Sequence, residues 1–106
     1  MRRGDLLYVT FSPPVGRRPA IIVSRDSAHT LAIVVYITNT QPSRDYPTVV
    51  PVASLPSIQG LATGFIRCDH PIALMKSTME EASIFGHLEI DDMRRVDDAL
   101  RRALDL

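Results

Sequence analysis

Every apolar run before residue 90 is short and is cut off by proline, glycine or a cluster of small polar residues, and this punctuation confines most of the chain to short β-strands. Leu7, Val9 and Phe11 alternate with Leu6, Tyr8 and Thr10, the period of a strand with two different faces, and Pro13, Pro14, Val15 and Gly16 end it. Ala20, Ile21, Ile22 and Val23 form a continuous run rich in β-branched residues, the pattern of a strand buried on both sides. Leu31 to Ile37 is the most strand-like stretch, and Thr48 to Val52 follows it, with Pro51 making that segment an edge or bulged strand. Arg25 to His29 reads as a connector, and the polar segment from Thr38 to Pro47 as a surface loop. Gly60 and Gly64 bracket a turn, after which Phe65 to Cys68, Ile72 to Met75 and Ile84 to Leu88 are expected as shorter strands.

The period changes only at the C-terminus. Ile90, Met93, Val96, Leu100, Ala103 and Leu104 recur at helical spacing and give one apolar stripe. Asp91 and Asp92 favour the positive end of this helix, and Arg101 and Arg102 its negative end. Asp97/Arg101 and Asp98/Arg102 have the i,i+4 spacing at which each ion pair adds a few tenths of a kcal/mol. A single long helix after many short strands excludes a doubly wound sheet. The fold class expected is α+β: a small, strongly bent sheet or partly closed barrel of mostly antiparallel strands, closed on one side by the C-terminal helix. At 106 residues the chain reads as one domain spanning 1–106.

Charge and cysteine content exclude several classes. Lys and Arg number 12 against 12 Asp and Glu, so the chain cannot coat nucleic acid by charge alone, and any anion site must be local. Cys68 has no second cysteine to pair with, which excludes an internal disulfide framework or thiolate zinc site and points to a cytoplasmic home. Met1 to Asp5 is charged but leads into only a short apolar run, unlike a signal peptide, and no stretch approaches the ~20 apolar residues of a membrane span. There is no glycine-rich phosphate loop, nucleophile elbow or His-Glu-x-x-His, so neither a metal nor a cofactor is expected.

The polar groups worth weighing are Arg17 and Arg18 before a buried strand, the loop of Thr38, Asn39 and Thr40, and Asp69 with His70. Each has an ordinary explanation. Paired arginines at a strand entry are commonly solvated, and Ser, Thr and Asn after a strand commonly form turns. His70 beside Pro71 reads as a turn histidine, as do His29 and His87, and Glu80 and Glu81 as a solvated helix face. A chemistry needing only an arginine with hydroxyl or carboxylate neighbours is cleavage of RNA through its own 2′-OH. There the substrate supplies the nucleophile, and the protein positions it and stabilises charge on phosphorus.

Four segments taken together are more specific: Arg3 to Pro13, with its Arg-Gly-Asp opening; Gly16 to Ser24, carrying Arg17-Arg18-Pro19-Ala20; Ile37-Thr38; and Val96 to Leu100. Over nearly the whole chain they resemble the MazF/PemK family of toxin endoribonucleases from type II toxin–antitoxin systems. The resemblance implies an SH3-like barrel of the CcdB/MazF type, a homodimer, and metal-independent, sequence-specific cleavage of single-stranded RNA to 2′,3′-cyclic phosphate and 5′-hydroxyl ends. It also implies a cognate antitoxin whose extended acidic segment occupies the RNA groove.

In that family the catalytic arginine directly precedes proline, which falls on Arg18, and the catalytic threonine ends the third strand, which falls on Thr38. A guanidinium with a pKa above about 12 is a poor proton donor, so Arg18 is expected mainly to stabilise transition-state charge, with proton transfer left open. Thr38 would orient the phosphate, with Thr40 the alternative under a one-residue slip. The resemblance makes Arg17, Asn39, Thr40 and His70 candidate RNA contacts, His70 standing where the family often has glutamine. Two departures are visible. Only Pro14, Val15 and Gly16 precede Arg17 where the family usually has a longer loop, and His70-Pro71-Ile72 lacks the basic residue often found there. Two other readings follow: a CcdB-like toxin that binds DNA gyrase, although the end Arg101 to Leu106 lacks the aromatic residues such proteins use, and a degenerate member that only binds a partner.

Overall fold

The computed structural model describes residues 1–25 and 30–106. Most of the connector read over Arg25 to His29, with His29 itself, therefore lies outside the described residues. The elements are β1 (Asp5–Thr10), β2 (Arg17–Ile22), β3 (Leu31–Thr38), β4 (Val49–Pro51), β5 (Phe65–Arg67), β6 (Ile72–Met75), β7 (Gly86–His87) and α1 (Ile90–Leu104), with short 3-10 turns between them. All strand pairs are antiparallel, in the order β4-β5-β3-β2-β1-β7, and β6 pairs with β3 beside β5.

β3 bends the sheet into a half-barrel. Its first half, Leu31 to Val34, pairs with β6, while Ile37 and Thr38 pair with β5 on the same edge. Alternation then sorts the apolar residues to two sides. Leu6, Ile21, Val35, Ile37, Ile66 and Leu88 pack with Met93, Val96 and Ala99 of α1. Leu7, Val9, Phe11, Ala20, Ile22, Val34, Tyr36 and Met79 form a second core on the other side. This explains why the β2 run carries no polar alternation: both of its faces are covered.

Several boundaries differ from the sequence reading, each for a tertiary reason. β2 begins at Arg17, ahead of the apolar run, because Arg17 and Arg18 pair through their backbone with Thr10 and Val9. β4 is an edge strand as Pro51 requires, but Val52 has already turned into a 3-10 helix. The strand read over Ile84 to Leu88 shrinks to Gly86 and His87, flanked by bonds from Phe85 N to Leu6 O (3.0 Å) and Leu88 N to Gly4 O (2.9 Å).

His87 is thus a strand residue rather than a turn histidine, with Nδ1 2.8 Å from the Asp5 carboxylate. Glu80 and Glu81 lie in and beside a 3-10 turn, not on a helix face. On α1 the expected i,i+4 ion pairs give way to others: Asp97 meets Arg3, and Asp98 lies 3.8 Å from Arg101 at i,i+3. Asp92, buried near the start of α1, accepts from both the backbone N–H (2.8 Å) and the hydroxyl of Ser57, which fastens the helix to the turn at Pro56–Ile58. No helix among the described residues is long and apolar enough to cross a membrane.

Candidate active site

The β2–β3 ladder stops at Ala20↔Tyr36, and Pro19 is the reason. Opposite Pro19 on β1, Tyr8 turns its N–H away from β2 and donates it to Ser83 Oγ (2.9 Å), so the Pro19 nitrogen faces β3. The next bond to β3 would need a donor that proline lacks. Extending that register two residues past its last pair puts Arg18 and Thr38 across from each other, and alternation puts both on the same face as Ala20 and Tyr36.

Arg18 is half-buried, and its Nε donates to Val15 O (3.0 Å) in the tight β1–β2 turn. That bond fixes the guanidinium, and among the described residues its two terminal nitrogens have no partner. Thr38 is buried at the end of β3, where Oγ1 accepts from Thr40 N (3.2 Å). Thr40 itself is exposed in the loop. Gly64 packs against this strand end with φ +110, and a Cβ there would lie 2.3 Å from Thr38 O. Only glycine lets the turn approach so closely.

His70 joins this face: its ring stands edge-on to Tyr36, centroids 6.2 Å apart, and Tyr36 also meets Phe11 at 5.5 Å. Arg17 and Asn39 do not join it. Arg17 lies over the Tyr8 ring (4.4 Å) and 3.4 Å from Glu80, and Tyr8 stacks on Phe85 at 5.1 Å. Asn39 accepts from the Thr63 hydroxyl (3.3 Å) and lines a cavity of about 390 Å³ with Tyr8, Pro19, Leu61 and Thr63. The six candidates are thus divided: Arg18, Thr38 and His70 are on one side of the sheet, Arg17 and Asn39 on the other, and Thr40 is in the loop that joins them.

Sequence reasoning missed Tyr36, hidden in an apolar run, and Arg67 with Tyr46. One step from the pair Ile37↔Ile66, Arg67 lies opposite Tyr36 and therefore on the Arg18 side. Its Nε and Nη2 meet the two Asp69 oxygens at 2.9 and 2.8 Å. The hydrogen bond from Arg67 holds the Asp69 carboxyl below the usual carboxylate range, and the same bond raises Arg67. Between them, Cys68 is buried, and burial pushes its thiol up to about 12, so it stays protonated and is neither nucleophile nor ligand. Among the described residues, no three His, Cys, Asp or Glu side chains converge to hold a metal ion. The open strand end thus offers a fixed guanidinium, a buried hydroxyl and an exposed imidazole on an aromatic floor. That arrangement can bind a phosphodiester and stabilise negative charge on it.

Residues 2–104 match the family described as "PemK-like, MazF-like toxin of type II toxin-antitoxin system". No curated protein matches the chain in sequence. Among solved structures, an endoribonuclease in complex with its cognate antitoxin from a mycobacterial species is similar with a TM-score of 0.78 and 25% identity, covering 100% of this chain and 96% of that one. MazF in the MazE-MazF complex (Form-III) from Deinococcus radiodurans is similar with a TM-score of 0.75 and 25% identity, covering 100% and 97%. Free MazF (Form-I) from Deinococcus radiodurans has a TM-score of 0.77 at 24% identity, covering 100% and 97%, which speaks to the fold.

Proposed function

The chain belongs to the PemK-like, MazF-like toxins of type II toxin–antitoxin systems, and we propose that it is a metal-independent endoribonuclease that cuts single-stranded RNA at a preferred sequence. The observation that carries this reading is the end of the β2–β3 ladder at Pro19, beyond which Arg18 and Thr38, each still paired on its other side, are not joined to each other by the sheet. In the reaction the substrate's 2′-hydroxyl gives its proton to solvent as its oxygen attacks the adjacent phosphorus, and the 5′-oxygen leaves and takes a proton from solvent, giving 2′,3′-cyclic phosphate and 5′-hydroxyl ends. Arg18 donates its terminal N–H groups to the phosphate oxygens as charge grows on them, and Thr38 orients the phosphate. Both groups sit on strand ends, so they are placed before the substrate arrives. The short β1–β2 turn, a departure from the family pattern, supports rather than weakens this role, because its Val15 carbonyl holds the Arg18 guanidinium. His70 and Thr40 are the proposed RNA contacts beside this centre, and Arg17 and Asn39 the proposed contacts for a strand that continues to the other side of the sheet.

A cognate antitoxin is the second partner in this reading, laying an acidic segment over Arg18. Relatives of the same fold are bound to theirs. A second copy of the chain is the third. Leu31 and Met75 face each other across β3 and β6, both more than half exposed at 51% and 53%. Beside them, Ile33, Ala73, Leu100 and Leu104 line an apolar groove of about 370 Å³. Such a continuous apolar face favours a partner surface, and a homodimer acting in the cytoplasm fits it.

The test is cleavage of a long single-stranded RNA in EDTA by wild type and Arg18→Ala, with sequencing of the 5′-hydroxyl ends. Wild type is expected to cut at one short sequence. Arg18→Ala is expected to lose a factor of about 10²–10³, the usual cost of removing one donor to a developing oxyanion. Wild-type protein that is folded yet leaves the RNA intact overturns the reading.

A further inference from the structure

Arg67 and Asp69 form a side-on fork: Nε and Nη2 of the guanidinium bind the two carboxylate oxygens at 2.9 and 2.8 Å. Of the five N–H groups an arginine carries, this uses two, and of the three left, two lie side by side on the outer edge formed by Nη1 and Nη2. The pair is held in place. His70 N donates to Arg67 O (3.1 Å) to close the turn, and the intervening Cys68 is fully buried. Arg67 and Asp69 are each about one-third exposed (32% and 31%), as walls of a cavity of about 380 Å³ completed by Pro42, Tyr46 and Val49. Tyr46, with Arg44 5.1 Å from its ring centroid, and the apolar Pro42 and Val49 give the cavity sides against which a flat ring can lie.

A guanidinium neutralised by its own carboxylate is poorly suited to attract phosphate, and well suited to fixed, directional hydrogen bonding. Resting on the reading of this protein as an RNA-cleaving toxin, we propose that Arg67, braced by Asp69, reads one guanine of the single strand beside the scissile phosphate. The free outer edge of the guanidinium donates to two acceptors side by side, and guanine O6 and N7 are such a pair. Adenine presents an amino donor where guanine has O6, and the pyrimidines lack N7. The cavity lies on the same side of the sheet as Thr38: Arg67 is opposite Tyr36, two residues before Thr38 on β3, so a base held there belongs to a nucleotide next to the one cut.

The experiment measures anisotropy of fluorescent single-stranded hexanucleotides carrying 2′-fluoro sugars, which cannot attack their own phosphate, with guanine, 7-deazaguanine or adenine at each position in turn. At one position wild type is expected to bind guanine about 10-fold more tightly than adenine, within the usual worth of a bidentate base contact. 7-deazaguanine, without the N7 acceptor, is expected to lose most of that preference. Arg67→Lys keeps the charge but not the fork. It is expected to bind all the oligonucleotides within a few-fold of one another, and Asp69→Asn to show a reduced preference, with thermal unfolding confirming that both variants fold. Absence of guanine preference at every position, absence of binding, or full preference in Arg67→Lys overturns the proposal. Cleavage of a long RNA in EDTA, run alongside, separates the two readings. Guanine preference without cleavage leaves this site standing and removes the ribonuclease, whereas cleavage with no guanine fixed near the cut does the reverse.

Discussion

The face of the sheet under α1 and the C-terminal end of β3 meet opposite treatment from the rest of the chain. In the core under α1, Leu6, Val35, Ile37 and Ile66 are buried against Met93, Val96 and Ala99, and the polar groups are spoken for: Asp92 is satisfied by Ser57, and Asp97 by Arg3. At the C-terminal end of β3, one proline ends the ladder to β2, and the Arg18 and Thr38 side chains are each left with a single bond, from Arg18 Nε to Val15 O and from Thr40 N to Thr38 Oγ1. Stability and chemistry are therefore drawn from different parts of one small sheet. A substitution in the first region should lower stability and leave the activity of folded molecules alone, and one in the second should do the opposite.

The largest test of that division is Leu6→Ala. Leu6 is fully buried in the core under α1, and removing its side chain there is expected to cost about 2–5 kcal/mol. That is a large share of the roughly 5–15 kcal/mol by which a domain of this kind is stable. Urea unfolding would measure the loss, and cleavage per folded molecule should stay at the wild-type level. Arg18→Ala is the mirror case: unfolding free energy within about 0.5 kcal/mol of wild type, with the loss of cleavage given above. If Leu6→Ala lost activity beyond its unfolded fraction, the two regions would be coupled and the division would fail.

Gly64 is the residue that belongs to both regions, and it sharpens the comparison. Its φ of +110 and the 2.3 Å approach of a Cβ to Thr38 O mean that Gly64→Ala must shift the turn or the end of β3. Gly60 has φ +83 but open space around its missing side chain, so Gly60→Ala pays the backbone strain alone. Gly60→Ala is expected to lose about 1–3 kcal/mol by urea unfolding, the usual cost of a non-glycine residue in such a conformation, and Gly64→Ala more than Gly60→Ala. Cleavage should fall only in Gly64→Ala. Equal cleavage by the two variants would show that the position of Thr38 does not matter to the reaction.

How much of this was legible in the sequence follows from the range of the interactions. β1, read from its alternation, and β3 and β6, read as apolar runs bounded by turn residues, lie close to where the pattern put them, and so does α1, because these signals are local. β2 was read too short because Arg17 and Arg18 enter the sheet through their backbone, which leaves no trace in side-chain pattern. Reading β2 from Arg17 would have separated the two arginines at once, since neighbours on a strand point to opposite faces. The helix ion pairs were misassigned because Arg3, from the far end of the chain, takes Asp97. Arg18 and the loop of Thr38 were among the polar groups the residues themselves brought forward, but family resemblance alone assigned them catalytic roles. Arg67 escaped because its role depends on the turn that returns Asp69 to it and on the register that sets it opposite Tyr36. Neither is written in the local run.

The smallest expected effect concerns that same pair, and its sign follows from the direction of one shift. Arg67 hydrogen-bonds the Asp69 carboxylate and lowers its affinity for protons below the unfolded value of about 3.9. A carboxyl depressed in the folded state contributes stability that is present above the unfolded value and is lost as pH falls through the lower, folded one. Asp69→Asn should therefore differ from wild type in unfolding free energy at neutral pH. The difference should shrink in acid below about pH 4, and remain small throughout because the pair is partly solvated. Urea titrations at closely spaced pH values would resolve it. A gap that instead widened in acid would mean that Asp69 is held by desolvation rather than by Arg67, and the brace on which the guanine reading depends would be absent.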